Sequence, residues 1–163
     1  ATRVGEGPFP TELTGALGEQ LRQAGGEFGA TTGRPRRCGW LALPALRMGI
    51  RLSGRDGVAL TKRVVLCGMP EVSVCVAYRL DGRELDEPPI DLDDMRRAEP
   101  VYATYPGWGP LPASCRAFDD LPAPARAYVQ SIERLAGAPL ALVSVGPERT
   151  QTIVIDDVLL RRA

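Results

Sequence analysis

Gly25-Gly26-Glu27-Phe28-Gly29-Ala30-Thr31-Thr32-Gly33-Arg34-Pro35-Arg36-Arg37-Cys38-Gly39-Trp40 carries neither the 3.6-residue period of a core helix nor the two-residue period of a core strand. It reads as a loop, and the elements of the fold must be sought on either side of it. Glycines at 25, 26, 29 and 33 let the backbone take positive φ and approach a ligand closely. Thr31 and Thr32 offer hydroxyls, while Arg34, Arg36 and Arg37 offer planar forks of N–H donors suited to carboxylate or phosphate. The composition points to an anion-binding loop that holds more than one negative group. An ordinary Gly/Thr loop with a solvated arginine run is the competing reading, and composition alone does not separate the two.

Upstream of the loop, Thr11 is placed to cap a helix in which Leu13, Leu17 and Leu21 repeat at i, i+4 and i+8, ending at Gly25-Gly26. Downstream, Leu43 to Leu52 reads as a helix with Pro44 in its first turn. Val58–Leu66 and Val72–Leu80 read as strands, with Asp81-Gly82 as a hairpin turn. Asp91–Arg97 reads as a short exposed helix, Val101–Tyr105 as a strand and Pro106–Pro112 as an irregular loop. Asp120 is placed to cap a further helix, with Pro122 early, Ala125, Val129, Ile132 and Ala136 on one face, and Gly137 as its C-terminal stop. Leu140–Val145 and Thr152–Ile155 complete the strands. The expected class is α/β, a mixed sheet with flanking helices.

At 163 residues the chain is long enough for a sizeable core, as one domain or a piece of a larger one. Twenty Lys and Arg balance twenty Asp and Glu, so nothing favours nucleic acid or a membrane surface as a bulk partner. No apolar run reaches membrane-spanning length, and no signal-peptide pattern opens the chain. Cysteines at 38, 67, 75 and 115 lack Cys-x-x-Cys spacing and histidine is absent, which argues against zinc and for free thiols in a reducing cytoplasm. Lys62 is the only lysine in the chain.

Five segments together resemble one family. The loop itself is similar to the aspartate-binding loop of the adenylosuccinate synthetases, GTP-dependent ligases of purine biosynthesis. Arg3-Val4-Gly5-Glu6-Gly7-Pro8-Phe9-Pro10-Thr11-Glu12, Val72–Tyr78, Tyr105-Pro106-Gly107-Trp108 and Ser144-Val145-Gly146-Pro147 match the family in order and spacing. The resemblance covers nearly the whole chain, residues 1–163, as the C-terminal part of a P-loop-NTPase-like ligase. It implies a homodimeric cytoplasmic enzyme that uses GTP and Mg2+ to join L-aspartate to IMP: GTP phosphorylates the 6-oxygen, and the aspartate amino group then displaces phosphate.

The resemblance further implies that Ala30, Thr31, Thr32, Gly33, Arg34, Pro35 and Arg36 close over aspartate. Arg34 would also reach the IMP ribose, Arg36 the GTP phosphates, and the main-chain carbonyl of Val4 the ribose. Lys62, Arg63, Val64, Ser144, Val145 and Gly146 would form the pocket for the nucleotide base.

Two positions depart from the family pattern. Thr61-Lys62-Arg63-Val64 stands where the family carries Thr-Lys-Leu-Asp, so Val64 cannot accept the guanine N–H bonds that the aspartate accepts. Ala42 likewise stands where the family usually has aspartate. No Gly-x-x-x-x-Gly-Lys-Ser/Thr pattern and no histidine occur here, so phosphate-loop, metal and acid chemistry would lie outside this chain, and by itself it is expected to be inactive. Two alternatives follow from these departures: a divergent aspartate ligase with another triphosphate or acceptor, and a non-catalytic binding remnant.

Overall fold

The computed structural model describes residues 1–54 and 57–155, and of Arg63 and Val64 the backbone alone. Its elements run β1 (Thr2–Arg3), α1 (Ala16–Gly25), β2 (Arg37–Cys38), β3 (Leu41–Ala42), α2 (Leu43–Ser53), β4 (Val58–Leu60), β5 (Glu71–Leu80), β6 (Arg83–Leu85), α3 (Leu92–Arg97), β7 (Glu99–Pro106), α4 (Ala123–Ala136), β8 (Leu140–Ser144) and β9 (Thr152–Val154). Short 3-10 turns lie at Arg63–Leu66, Phe118–Asp120 and Arg149–Gln151. The class is mixed α/β. The chain divides into two units: Ala1–Met48 with Ser73–Ala103, and Gly49–Val72 with the described residues from Thr104 onward.

In the first unit, β1 pairs antiparallel with β2. β5 is flanked by β3 in parallel, by β6 in antiparallel and by β7. Asp81 and Gly82 both take positive φ, 50° and 77°, which is the geometry a two-residue turn needs to follow the right-handed strand twist. Cys75 and Tyr78 of β5 and Ala98 form a buried cluster against Ala42, Leu85 and Met95. Burial pushes the Cys75 thiol up to about 11 and the Tyr102 phenol up to about 12, so both stay protonated near neutral pH.

In the second unit, β8 sits between β4, parallel to it, and β9, antiparallel to it. Ala125, Val129, Ile132 and Ala136 of α4 are all buried, the face read from the periodicity. Gly137 closes α4 in the left-handed conformation. Tyr128 lies edge-on to Tyr105 and tilted against Trp108, with ring centroids 5.8 and 5.3 Å away.

Three elements differ most from expectation, each for a physical reason. α1 begins at Ala16 behind Gly15, and Thr11 does not cap it. Residues 11–13 are drawn into extended pairing instead: Glu12 bridges Gly39, and the Leu13 N–H donates to the Cys38 carbonyl at 2.9 Å. α4 begins at Ala123, because Leu121 precedes a proline and is held extended. Asp120 instead accepts from the backbone N–H groups of Arg116 and Ala117, both at 2.9 Å. The strand expected over 58–66 stops at Leu60, where Lys62 turns the chain with φ 59° into the 3-10 turn.

Candidate functional site: a pinned loop and a pair of strand ends

The loop leaves α1 through Gly26, whose left-handed backbone ends the helix. Its two arms then pair. The Arg36 N–H donates to the Glu27 carbonyl at 2.9 Å, Phe28 bridges Pro35, and the Gly29 N–H donates to the Arg34 carbonyl at 2.8 Å. The bridge at Pro35 uses that residue's missing N–H at no cost, since no donor is required of it there. At the tip the Gly33 N–H returns to the Gly29 carbonyl at 2.8 Å, and the Arg34 N–H reaches the Thr32 hydroxyl at 3.3 Å. Gly33 adopts φ 63° there. Ala30, Thr31, Thr32, Gly33, Arg34 and Pro35 are all exposed.

Below the tip the side chains are tied down. Arg36 Nη1 lies 3.1 Å from Oε2 of Glu27, a carboxylate only 6% exposed. Arg22 Nε donates to the Arg36 carbonyl at 2.8 Å.

Arg37 differs from what composition suggested. It is not an open fork for a ligand. Its Nε lies 2.9 Å from both Glu12 carboxylate oxygens, and its Nη2 also pairs with Glu12. Its Nη1 donates to the carbonyls of Gly5 at 3.0 Å and Gly7 at 2.7 Å, and its guanidinium sits 5.6 Å from the Phe9 ring centroid. The hydrogen bonds from Arg37 hold the Glu12 carboxyl below its ordinary value. Arg37 thereby fastens the segment that follows Val4 to the root of the loop. Val4 itself is 79% exposed.

Glu12 and Glu27 were both missed by the sequence reading. Each faces an arginine across the chain, 25 and 9 residues away, and a carboxylate isolated in a Gly/Thr/Arg stretch was the one signal available for Glu27.

Ala42 lines a cleft of about 390 Å³ together with Arg3, Phe9, Thr11, Tyr78 and Met95.

In the second unit, β4 and β8 run parallel with Leu60 opposite Val143. Thr61-Lys62 and Ser144-Val145-Gly146 therefore leave the carboxyl ends of neighbouring parallel strands, the edge where α/β sheets characteristically bind ligands. The Ser144 hydroxyl donates to the Gly146 carbonyl at 2.9 Å, and the Val145 N–H donates to the Gln151 carbonyl at 2.8 Å. A Cβ on Gly146 would fall 2.2 Å from Gln151 Oε1, so a larger residue there would have to displace the Gln151 side chain. Lys62 is exposed in its left-handed corner, a conformation that costs roughly 1–2 kcal/mol outside glycine. The side chains of Arg63 and Val64 lie outside the described residues.

Residues 1–153 match the family model for adenylosuccinate synthetase. The chain belongs to the adenylosuccinate synthetase family. It is 53% identical over 154 residues to the adenylosuccinate synthetase of Geotalea daltonii and 51% identical over 157 residues to that of Methylococcus capsulatus. These alignments cover 94% and 96% of this chain and 36% of each relative. The fold superimposes on the structure of fully ligated adenylosuccinate synthetase from Plasmodium falciparum with a TM-score of 0.90 at 40% identity, over 94% of this chain and 37% of that one. The chain thus spans little more than a third of the length of these synthetases, corresponding to a C-terminal part. Among the described residues, no helix is long and apolar enough to cross a membrane, and no group of three or more His, Cys, Asp or Glu could hold a metal.

Proposed function

We propose that this chain is the aspartate- and base-binding portion of a P-loop-NTPase-like adenylosuccinate synthetase, a homodimeric cytoplasmic ligase that joins L-aspartate to IMP at the expense of GTP. The observation that carries the reading is the loop: an exposed tip of two threonines and one arginine on a hydrogen-bonded stem that presents a second arginine. A dicarboxylate beside a transferring phosphoryl group concentrates negative charge. Guanidiniums already held in place stabilise that charge without reorganising.

In this reading Ala30–Arg36 enclose L-aspartate. Arg34 extends to the IMP ribose, the Val4 carbonyl faces the same ribose, and Arg36 reaches the GTP phosphates. Lys62, Arg63, Val64, Ser144, Val145 and Gly146 take the base of the nucleotide at the paired strand ends. GTP supplies the phosphoryl group that turns the 6-oxygen of IMP into a leaving group. Mg2+ does not fit the described residues, which offer no group of three or more carboxylate, cysteine or histidine ligands, so its ligands are assigned to the rest of the enzyme.

The test is Arg34→Ala in the full-length protein. With Arg34 exposed and bonded to the protein through its backbone, the variant should keep its stability within about 0.5 kcal/mol while the KM for L-aspartate rises at least about tenfold. An unchanged KM overturns the loop assignment.

A second reading concerns the triphosphate alone. With Val64 in place of the family's aspartate, guanine loses two acceptor contacts, each worth roughly 1.5–3 kcal/mol. GTP should then be favoured over ITP, which lacks the 2-amino group, by less than about tenfold. Strict discrimination for GTP would exclude this second reading and leave the first intact.

A further inference from the structure

Glu27 is the most buried carboxylate of the loop region, 6% exposed, and it stands at the stem where the two arms first pair. Its backbone is held from both sides. The Glu27 N–H donates to the Arg22 carbonyl, and the Glu27 carbonyl accepts from the Arg36 N–H, both at 2.9 Å. The Arg22 side chain closes the triangle through its bond to the Arg36 carbonyl. The carboxylate thus has little freedom to move, and neither has the backbone of the arginine it pairs with.

The pairing divides the Arg36 fork. Nη1 bonds to Glu27, whereas Nε and Nη2 make no hydrogen bond among the described residues. The Arg36 side chain is 37% exposed, so those donors have access to solvent. A long, rotamer-rich side chain tied at one corner loses less entropy when an anion binds the rest of it.

On this basis, and resting on the function proposed above, we infer that Glu27 is a positioning residue: it holds the Arg36 guanidinium with its open edge turned to the incoming dicarboxylate. Glu27 does not touch the substrate in this scheme and acts through Arg36. Its negative charge also offsets one guanidinium charge in the unliganded loop, which limits capture of stray anions. The balance between the two roles favours orientation, because the pair has a fixed stem on both sides.

The experiment uses the full-length protein with Glu27→Asp and Glu27→Gln, read by steady-state kinetics and by hydrogen exchange of the 27–36 peptide with and without L-aspartate. Aspartate is one methylene too short to span the 3.1 Å contact from the same backbone, so Glu27→Asp should raise the KM for L-aspartate about tenfold with kcat within about twofold. Exchange in the loop should quicken in that variant, while exchange in α1 stays as in the wild type. Glutamine keeps an acceptor at the right length, so Glu27→Gln should recover most of the effect, to within about threefold of the wild-type KM.

Wild-type KM in both variants overturns the inference, and so does faster exchange throughout α1 with an unchanged KM, which would make Glu27 purely structural. If L-aspartate fails to protect the wild-type loop, the assignment of the loop itself falls, and this inference falls with it. Protection of the wild type together with unaltered variants removes only the role of Glu27.

Discussion

Within one stretch, three arginines of identical chemistry meet three different fates. Arg37 at the root is fully engaged with protein, bound to Glu12, to the carbonyls of Gly5 and Gly7, and over the Phe9 ring. Arg36 on the stem is bound at one corner by Glu27. Arg34 at the tip is exposed and, among the described residues, held only through its backbone. The gradient from root to tip separates parts that hold the loop from parts free to meet a ligand. Root substitutions should therefore act on folding, and tip substitutions on ligand binding.

The strongest way to break this contrast is at Gly39. A Cβ there would lie 2.2 Å from the Thr11 carbonyl oxygen, which is backbone and cannot swing aside, and 2.9 Å from Cζ of Phe9. Gly39→Ala should cost about 2–4 kcal/mol, read as a lower urea midpoint at unchanged slope. A loss within experimental error would mean that the pairing of residues 12–13 with 38–39 is not what fixes the root. Arg37→Met comes next. It keeps much of the apolar stem but leaves Glu12 and two carbonyls without their donor. The pair is only partly buried, so the loss should be about 1–3 kcal/mol, below that of a fully buried ion pair.

The same root explains what could and could not be read from the sequence. α2, the β5–β6 turn and the buried face of α4 were legible because their signals are local: apolar spacing, Asp-Gly at the corner and Gly137 at the helix end. The start of α1 was not. Thr11 is a good local cap, and it loses to strand pairing with residues that lie beyond the loop. β4 was overextended because Val64, Val65 and Leu66 suit a strand, whereas a left-handed corner at a lysine has no sequence signature. At the site, composition marked Arg34, Arg36 and Arg37 alike as ligand forks. What distinguishes Arg37 is a carboxylate 25 residues away and carbonyls 30 and 32 residues away, and such partners are set by the fold. The paired ends of β4 and β8 were likewise invisible, since parallel neighbours are brought together only by topology.

At the tip the expected stability effects shrink. A Cβ on Gly33 would meet nothing within 4 Å, so Gly33→Ala carries only the left-handed backbone penalty, about 1–2 kcal/mol. The contrast with Gly39→Ala is sharp because both replace glycine with the same residue, and they differ in whether sterics or backbone conformation is at issue. Parallel unfolding curves would measure the gap directly. Equal losses would show that the tip is held as firmly as the root.

The smallest expected effect lies in the pH dependence of the root. Arg37 holds the Glu12 carboxyl below its ordinary value, so the folded state binds the proton less readily than the unfolded chain does. The sign follows: the contribution of the pair is present above the unfolded value and disappears as pH falls through the lowered folded value. Because Glu12 and Arg37 are both partly solvated, that contribution should stay below about 1 kcal/mol. Wild type and Glu12→Gln should differ most near neutral pH and converge as the solution is acidified below the ordinary carboxylate range. The measurement is the difference in thermal midpoint between them at a series of pH values. A difference that persists undiminished into acid would mean that packing of the Glu12 side chain, and not its charge on Arg37, holds the root of the loop together.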